Sequence, residues 1–166
     1  MTAEEIRRAT AADAEAIAAI WNQGIEERRS TFETRPRTRD EIAEGMDRIP
    51  YLVADAGGGN VTGWARVAPW SSRECYAGVG EASVYVERTA RGRGLGRRLL
   101  EELAADAERR EYWKLLGLLF PQNDASVALC RRTGFREVGT FERHGRLDGR
   151  WRDVLLVERL LHAATE

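Results

Sequence analysis

Apolar residues along this chain alternate between short runs of period two and stripes of helical period, from one end to the other. Glu5 to Ala9 predicts a short strand. Thr10, with Asp13 three residues on, has the pattern of a variant capping box. Ala16, Ile17, Ile20, Trp21 and Gly24 then recur at helical spacing. A second capping box, Thr38 to Glu41, opens another predicted helix that ends near Pro50. Tyr51–Ala54 and Val61–Val67 read as strands on either side of the turn signal Gly57-Gly58-Gly59-Asn60, hence a β-hairpin.

Pro69 to Gly80 has no period, and it holds Trp70, Arg73 and Tyr76. It is either a binding loop or a loop whose aromatics cover the edge of the core. Ala82–Val86 predicts a strand, and Leu95, Leu99, Leu100 and Leu103 mark a helix. Lys114–Phe120 is a leucine-rich strand, and Asp124–Arg132 a short helix stopped at Gly134. Phe135–Phe141 and Asp153–Glu158 are strands, with Gly145–Gly149 as a turn between them. Hairpins mixed with strand–helix–strand units predict an α/β (α+β) fold, a mixed sheet flanked by helices.

Composition narrows the class. A chain of 166 residues predicts a single domain spanning residues 1–166. Hydrophobic residues at 43% and charged residues at 32% suffice for a packed core and argue against disorder. The net charge of −1 argues against a general nucleic-acid binder. No apolar run approaches the ~20 residues of a membrane span. The acidic start, Met1 to Glu5, lacks the pattern of a signal peptide. With only Cys75 and Cys130, the expectation is reduced thiols and a cytoplasmic protein. Two histidines, His144 and His162, cannot assemble a zinc site from Cys and His alone, so no metal is expected.

The chemistry lies in Val84 to Arg97, where a strand runs into a glycine-rich turn that opens a helix. Gly92, Gly94 and Gly96 let the backbone approach a ligand closely. The free amides and the positive end of the helix dipole favour an anion, most often a phosphate. Arg91, Arg93, Arg97 and Arg98 add positive charge. The spacing is neither a Rossmann fingerprint nor a P-loop. By itself it is also compatible with a basic, flexible helix start.

Arg91, Gly94 and Gly96, placed after a strand and at a helix start, resemble the acetyl-CoA motif of the GNAT superfamily of N-acetyltransferases. The downstream stretch Asn123 to Phe135 resembles the family's second element: an Asn, a short helix beside the cofactor and a terminal Gly-Phe. Ile6–Thr10, Trp21-Asn22-Gln23, Thr31–Thr34, Pro69-Trp70, Glu81–Val86 and Gly149–Val154 look like the phosphinothricin N-acetyltransferase group. Glu33–Arg37 and Arg143–Gly149 look most like its arsinothricin-resistance branch. The resemblance runs from Ile6 to Leu160 and implies the GNAT fold, with a mostly antiparallel central sheet.

The resemblance implies that acetyl-CoA serves as co-substrate and a small amino acid as acceptor. It assigns the general base to Glu81, at the start of the strand leading to the glycine turn; the alternative is a solvated strand-end carboxylate. Backbone of Val84, Tyr85 and Val86 would pair with the pantetheine arm. Residues Arg91, Gly92, Arg93, Gly94, Leu95, Gly96 and Arg97 would cradle the pyrophosphate, with Asn123 and Ser126 beside the arm. Arg73 would hold the anionic head of a glutamate analogue, with Phe32 and Tyr76 as walls and Thr31 nearby. Otherwise Arg73 is an ordinary surface arginine.

Two positions depart from the group. Cys130 stands where many relatives place a tyrosine that protonates the leaving thiolate, and reads as a packing residue. Leu147-Asp148 replaces a turn that relatives often build with Lys and an aromatic or His. Relatives also imply a homodimer, for which Trp70 and Trp151 are surface candidates, though each is equally a core candidate. The competing functions are a protein or peptide N-terminal acetyltransferase and a non-catalytic CoA-binding module.

Overall fold

A computed structural model describes residues 3–162. The ends of the 1–166 span, including Met1 and Thr2 of the acidic start, lie outside the described residues. The strands are β1 (Glu5–Arg8), β2 (Tyr51–Asp55), β3 (Val61–Pro69), β4 (Val79–Val86), β5 (Lys114–Leu119), β6 (Arg136–Leu147) and β7 (Arg150–Leu160). The helices are α1 (Ala14–Glu27), α2 (Arg39–Met46), α3 (Leu95–Arg109) and α4 (Asp124–Arg132). One seven-stranded sheet has the order β1-β2-β3-β4-β5-β7-β6, and only the β4–β5 pair is parallel. This is the mixed sheet that the pattern predicted, mostly antiparallel as the family resemblance implied.

Period-two alternation distributes the core over both faces of the sheet. Leu52, Ala54, Ala65, Val67 and Leu115 join the α3 stripe Leu95, Leu99, Leu100 and Leu103 on one face. Tyr51, Val53 and Trp64 join Ile17, Ile20, Trp21 and Ile25 of α1 and Ile42 of α2 on the other. Both capping boxes form. Asp13 accepts the Thr10 amide at 2.8 Å, and Glu41 accepts the Thr38 amide at 2.8 Å.

Four boundaries differ from the pattern. Helix α2 stops at Met46, short of Pro50, because the amides of Arg48 and Ile49 turn back onto the Gly45 carbonyl. Strand β4 starts at Val79, so Glu81 lies within the strand rather than at its start. Glycine hid this extension: Gly80 has no side chain to score, yet a Cβ there would sit 2.2 Å from Val67 and 2.8 Å from Tyr112.

The predicted turn Gly145–Gly149 is mostly strand. Strand β6 continues to Leu147, and a two-residue turn remains, Asp148-Gly149, at φ 49° and 76°. Residues 142–146 are polar and exposed or nearly so, and therefore gave no alternation to read. A bulge between Phe141 and Gly145 also breaks the period; there the Arg143 amide donates to Asp153 at 2.8 Å. Strand β7 correspondingly starts at Arg150 rather than Asp153.

Candidate active site

The parallel ladder between β4 and β5 covers three residue pairs and ends at Glu81 opposite Leu116. Strand β4 continues to Val86 and β5 to Leu119. Beyond Glu81 the β5-facing edge of β4 therefore has backbone groups with no ladder partner. An extended amide-bearing chain can add there as a strand would.

A cleft of about 290 Å³ opens at that edge. Val84, Tyr85 and Val86 of β4 line it, together with Arg91, Gly92, Gly94, Leu95 and Gly96 of the glycine turn and Asn123 and Ser126 of α4. Ten of the residues singled out in the sequence thus converge. Gly92 and Gly94 adopt φ 79° and 80°, which only glycine takes without strain. Helix α3 begins at Leu95 without a side-chain cap. Its first-turn amides have no intrahelical acceptor and stand available to an anion. The Asn123 side-chain oxygen caps α4 by accepting the Ser126 amide at 3.3 Å, so its NH₂ group is the part free to donate to a ligand.

The remaining arginines are placed differently. Arg91 donates from Nε to the Val86 carbonyl at 3.1 Å and from Nη1 to Glu27 at 2.9 and 3.0 Å. Arg93 donates to the Thr89 carbonyl at 3.0 Å, and Arg97 pairs with Glu101 at 2.8 Å. Neither Arg93 nor Arg97 lines the cleft.

Sequence reasoning missed the opposite wall, formed by Gly24, Glu27, Arg29 and Ser30. Nothing in these residues marks them; they arrive because Glu27 of α1 pairs with Arg88 and Arg91 across the cleft. Burial of Glu27 raises its pKa, but the two guanidinium groups outweigh that and leave it below the usual carboxylate range. Ala90, Ala125 and Leu129 also line the cleft, and they could have been found as neighbours of the two motifs.

Glu81, Ser83 and Tyr85 share the α1-facing side of the sheet with Trp64, Arg66 and Ala68 of β3, which pair opposite them. Glu81 is half-buried, and burial raises its carboxyl pKa against the lowering field of Arg66. Tyr85 stacks on Trp64 with centroids 4.8 Å apart and planes at 15°. Burial raises its pKa as well, opposed by the hydroxyls of Ser30 and Thr31. Phe32 packs edge-on against Phe120 at 4.9 Å and lies beside Gly145. Arg73 and Tyr76 lie together on the exposed β3–β4 loop, with the guanidinium 5.5 Å from the ring.

Cys130 is buried in the α3-side core, its thiol pushed up to about 11 by burial, and it does not line the cleft. Leu147 is buried, whereas Asp148 is exposed and pairs with Arg28 at 3.0 Å. Among the described residues no group of three or more His, Cys, Asp or Glu could hold a metal ion, and no helix is long and apolar enough to cross a membrane.

A strand edge without a ladder partner beside an uncapped, glycine-opened helix can hold an extended amide-bearing chain and an anionic group at one cleft. The sequence model of the Acetyltransferase (GNAT) family matches residues 16–135. The chain belongs to that family and is an acetyl-CoA-dependent N-acetyltransferase. It is 36% identical over 154 residues to a phosphinothricin N-acetyltransferase of Streptomyces viridochromogenes, covering 90% of this chain and 84% of that one. It is 34% identical to an L-methionine sulfoximine/L-methionine sulfone acetyltransferase of Pseudomonas aeruginosa, over 84% of this chain and 78% of the other.

Among solved structures, a phosphinothricin acetyltransferase of Sinorhizobium meliloti in complex with acetyl-CoA superposes with a TM-score of 0.91 at 29% identity, covering 99% of this chain and 91% of that one. A ribosomal-protein-alanine N-acetyltransferase of Brucella melitensis superposes with a TM-score of 0.89 at 36% identity, covering 95% and 99%.

Proposed function

We propose that this enzyme transfers the acetyl group of acetyl-CoA to the α-amino group of a small glutamate-analogue amino acid of the phosphinothricin, arsinothricin or methionine sulfoximine type, with Glu81 as general base. The observation that carries this reading is the position of Glu81. Its half-buried carboxylate stands on β4 where the ladder to β5 ends, on the strand that goes on to line the acyl-CoA cleft. Relatives named for such acceptors support the substrate class.

The chemistry follows from this placement. Glu81, directly or through one water, takes a proton from the acceptor ammonium, and the freed amine attacks the thioester carbonyl. Backbone amides of Val84–Val86 are the donors nearest the growing oxyanion. The C–N bond forms, the C–S bond breaks, and the thiolate takes a proton from solvent, because buried Cys130 is not at the cleft. Arg73, with Tyr76 beside it, is assigned the acceptor's anionic head, and Phe32 and Thr31 are assigned to the rest of the acceptor site. Holding the two reactants in line supplies much of the acceleration, up to ~7–11 kcal/mol.

A second reading, transfer to a peptide N-terminus, draws on the likeness to the Brucella enzyme. The two are separated by acetyl-CoA-dependent thiol release measured in parallel with phosphinothricin, arsinothricin, methionine sulfoximine and an alanine-starting peptide. Saturable turnover of an amino acid, cut at least tenfold by Glu81→Gln, supports the first reading. Turnover of the peptide alone replaces it with the second.

We further infer a cytoplasmic homodimer with a role in antibiotic resistance. Trp151 and Trp70, 53% and 41% exposed, offer apolar surface for the contact. Both cysteines are free thiols, as a reducing compartment allows. Sedimentation velocity of wild type and Trp151→Glu tests the dimer: a single monomeric species in the wild type rejects it.

A further inference from the structure

We propose that Arg66 binds the α-carboxylate of the acceptor and is a specificity-determining residue beside Glu81. The inference rests on the amino-acid reading above and adds a ligand to it. Arg66 pairs opposite Ser83 and Ala68 opposite Glu81, so Arg66 and Glu81 are diagonal neighbours on one face of the sheet. Such neighbours lie about 7–8 Å apart, within reach of long side chains.

The guanidinium is positioned but not neutralised. It lies 4.7 Å from the Trp21 ring and 5.5 Å from that of Tyr51, and Nη1 donates to the Tyr51 hydroxyl at 3.1 Å. Its Nε is buried without a hydrogen-bond partner. Among the described residues no carboxylate lies within 4.0 Å of it. The neighbouring Arg37, on the same Trp21 ring at 4.8 Å, is by contrast paired with Glu33. A guanidinium has five N–H donors, and here a single one meets an acceptor among the described residues.

An α-amino acid has an ammonium and a carboxylate on one carbon. A carboxylate and an unneutralised guanidinium side by side on one sheet face match those two charges. The planar fork of Arg suits a carboxylate in a way that an ammonium side chain does not. Glu81 thus meets the ammonium, Arg66 the carboxylate, and the side-chain head is left to Arg73.

The test compares phosphinothricin with its α-carboxamide in wild type, Arg66→Gln and Arg66→Lys, reading kcat and KM for each. The wild type is expected to favour the acid by about tenfold or more, because a site built for a polar group rejects the analogue lacking it. Arg66→Gln raises KM for the acid by about tenfold and removes the preference, while KM for acetyl-CoA holds. Arg66→Lys lies between, and it carries the comparison if the Gln variant does not fold, as judged by thermal melting. An acid-to-amide ratio unchanged in these variants overturns the proposal, as does a wild type that does not discriminate. If the wild type acetylates only the alanine-starting peptide, the amino-acid reading itself has failed, and Arg66 falls with it.

Discussion

The ring of Tyr85 rests against the bare Cα of Gly24: a Cβ at position 24 would sit 2.5 Å from Cε1 and 2.9 Å from Cδ1 of that ring. Tyr85 cannot retreat, because its other face stacks on Trp64 at 4.8 Å. Gly24→Ala would gain about 1 kcal/mol of helix propensity in α1. It would also overpack a closed contact, at a cost of about 1–3 kcal/mol. The expected net effect is destabilisation in urea unfolding. KM for acetyl-CoA should rise as well, since Gly24 and Tyr85 both line the cleft.

Glu81 is expected to set the acidic limb of the pH–rate profile. Burial raises its pKa, so the limb should lie above the ~4.3 of a free glutamate. Activity should rise with pH through that limb, and Glu81→Gln should abolish it along with most turnover. Stability should move the other way. A raised folded-state pKa favours folding at low pH, and that contribution is lost as pH rises through it. At neutral pH the Gln variant should therefore melt no lower than the wild type, by calorimetry. A clear fall in its melting temperature would count against this account.

Gly145 gives Phe32 its place. A Cβ on Gly145 would sit 2.7 Å from Cζ of Phe32, and Phe120 closes another side of the ring at 4.9 Å. Gly145→Ala should displace Phe32 and raise KM for the amino-acid acceptor severalfold. KM for acetyl-CoA should stay within about twofold, because neither residue lines that cleft. Steady-state kinetics with each substrate varied in turn checks the split.

Asp13 is buried, and both its oxygens accept from Arg7 at 2.9 Å, with a third bond from the Thr10 amide. The hydrogen bonds from Arg7 hold its pKa below the ordinary value despite burial. Its contribution is present above the unfolded pKa of ~3.9 and is lost as pH falls through the lower folded value. Asp13→Asn should cost about 2–3 kcal/mol at pH 7, a loss tempered by Asp55, which still pairs with Arg7 at 2.9 Å. The penalty should shrink below about pH 4, as acid titrations of unfolding would show.

What the sequence by itself determined is what short-range physics decides. Apolar runs and the Gly57–Asn60 turn signal marked β2 and β3 as a hairpin, and alternation within each strand puts Leu52 and Val53, and likewise Trp64 and Val67, on opposite faces. The capping boxes at Thr10 and Thr38 marked helix starts. Gly92, Gly94 and Gly96 marked a turn where backbone can approach a ligand, and Asp124–Arg132 read as a short helix. Each signal spans a few residues, so a linear reading can find it.

Tertiary structure alone decided which of these pieces meet. Gly24 and Glu27 belong to α1, and only packing brings them against Tyr85 and Arg91. Periodicity assigned Arg66 to a face, but its neighbour Glu81 followed from the β3–β4 register. The end of the β4–β5 ladder is a property of two strands diverging, and neither strand encodes it alone. Both strands of the β6–β7 hairpin were legible, but their extension to Leu147 and from Arg150 was not, because that stretch is polar and bulged and its pairing rests on backbone hydrogen bonds rather than on an apolar pattern.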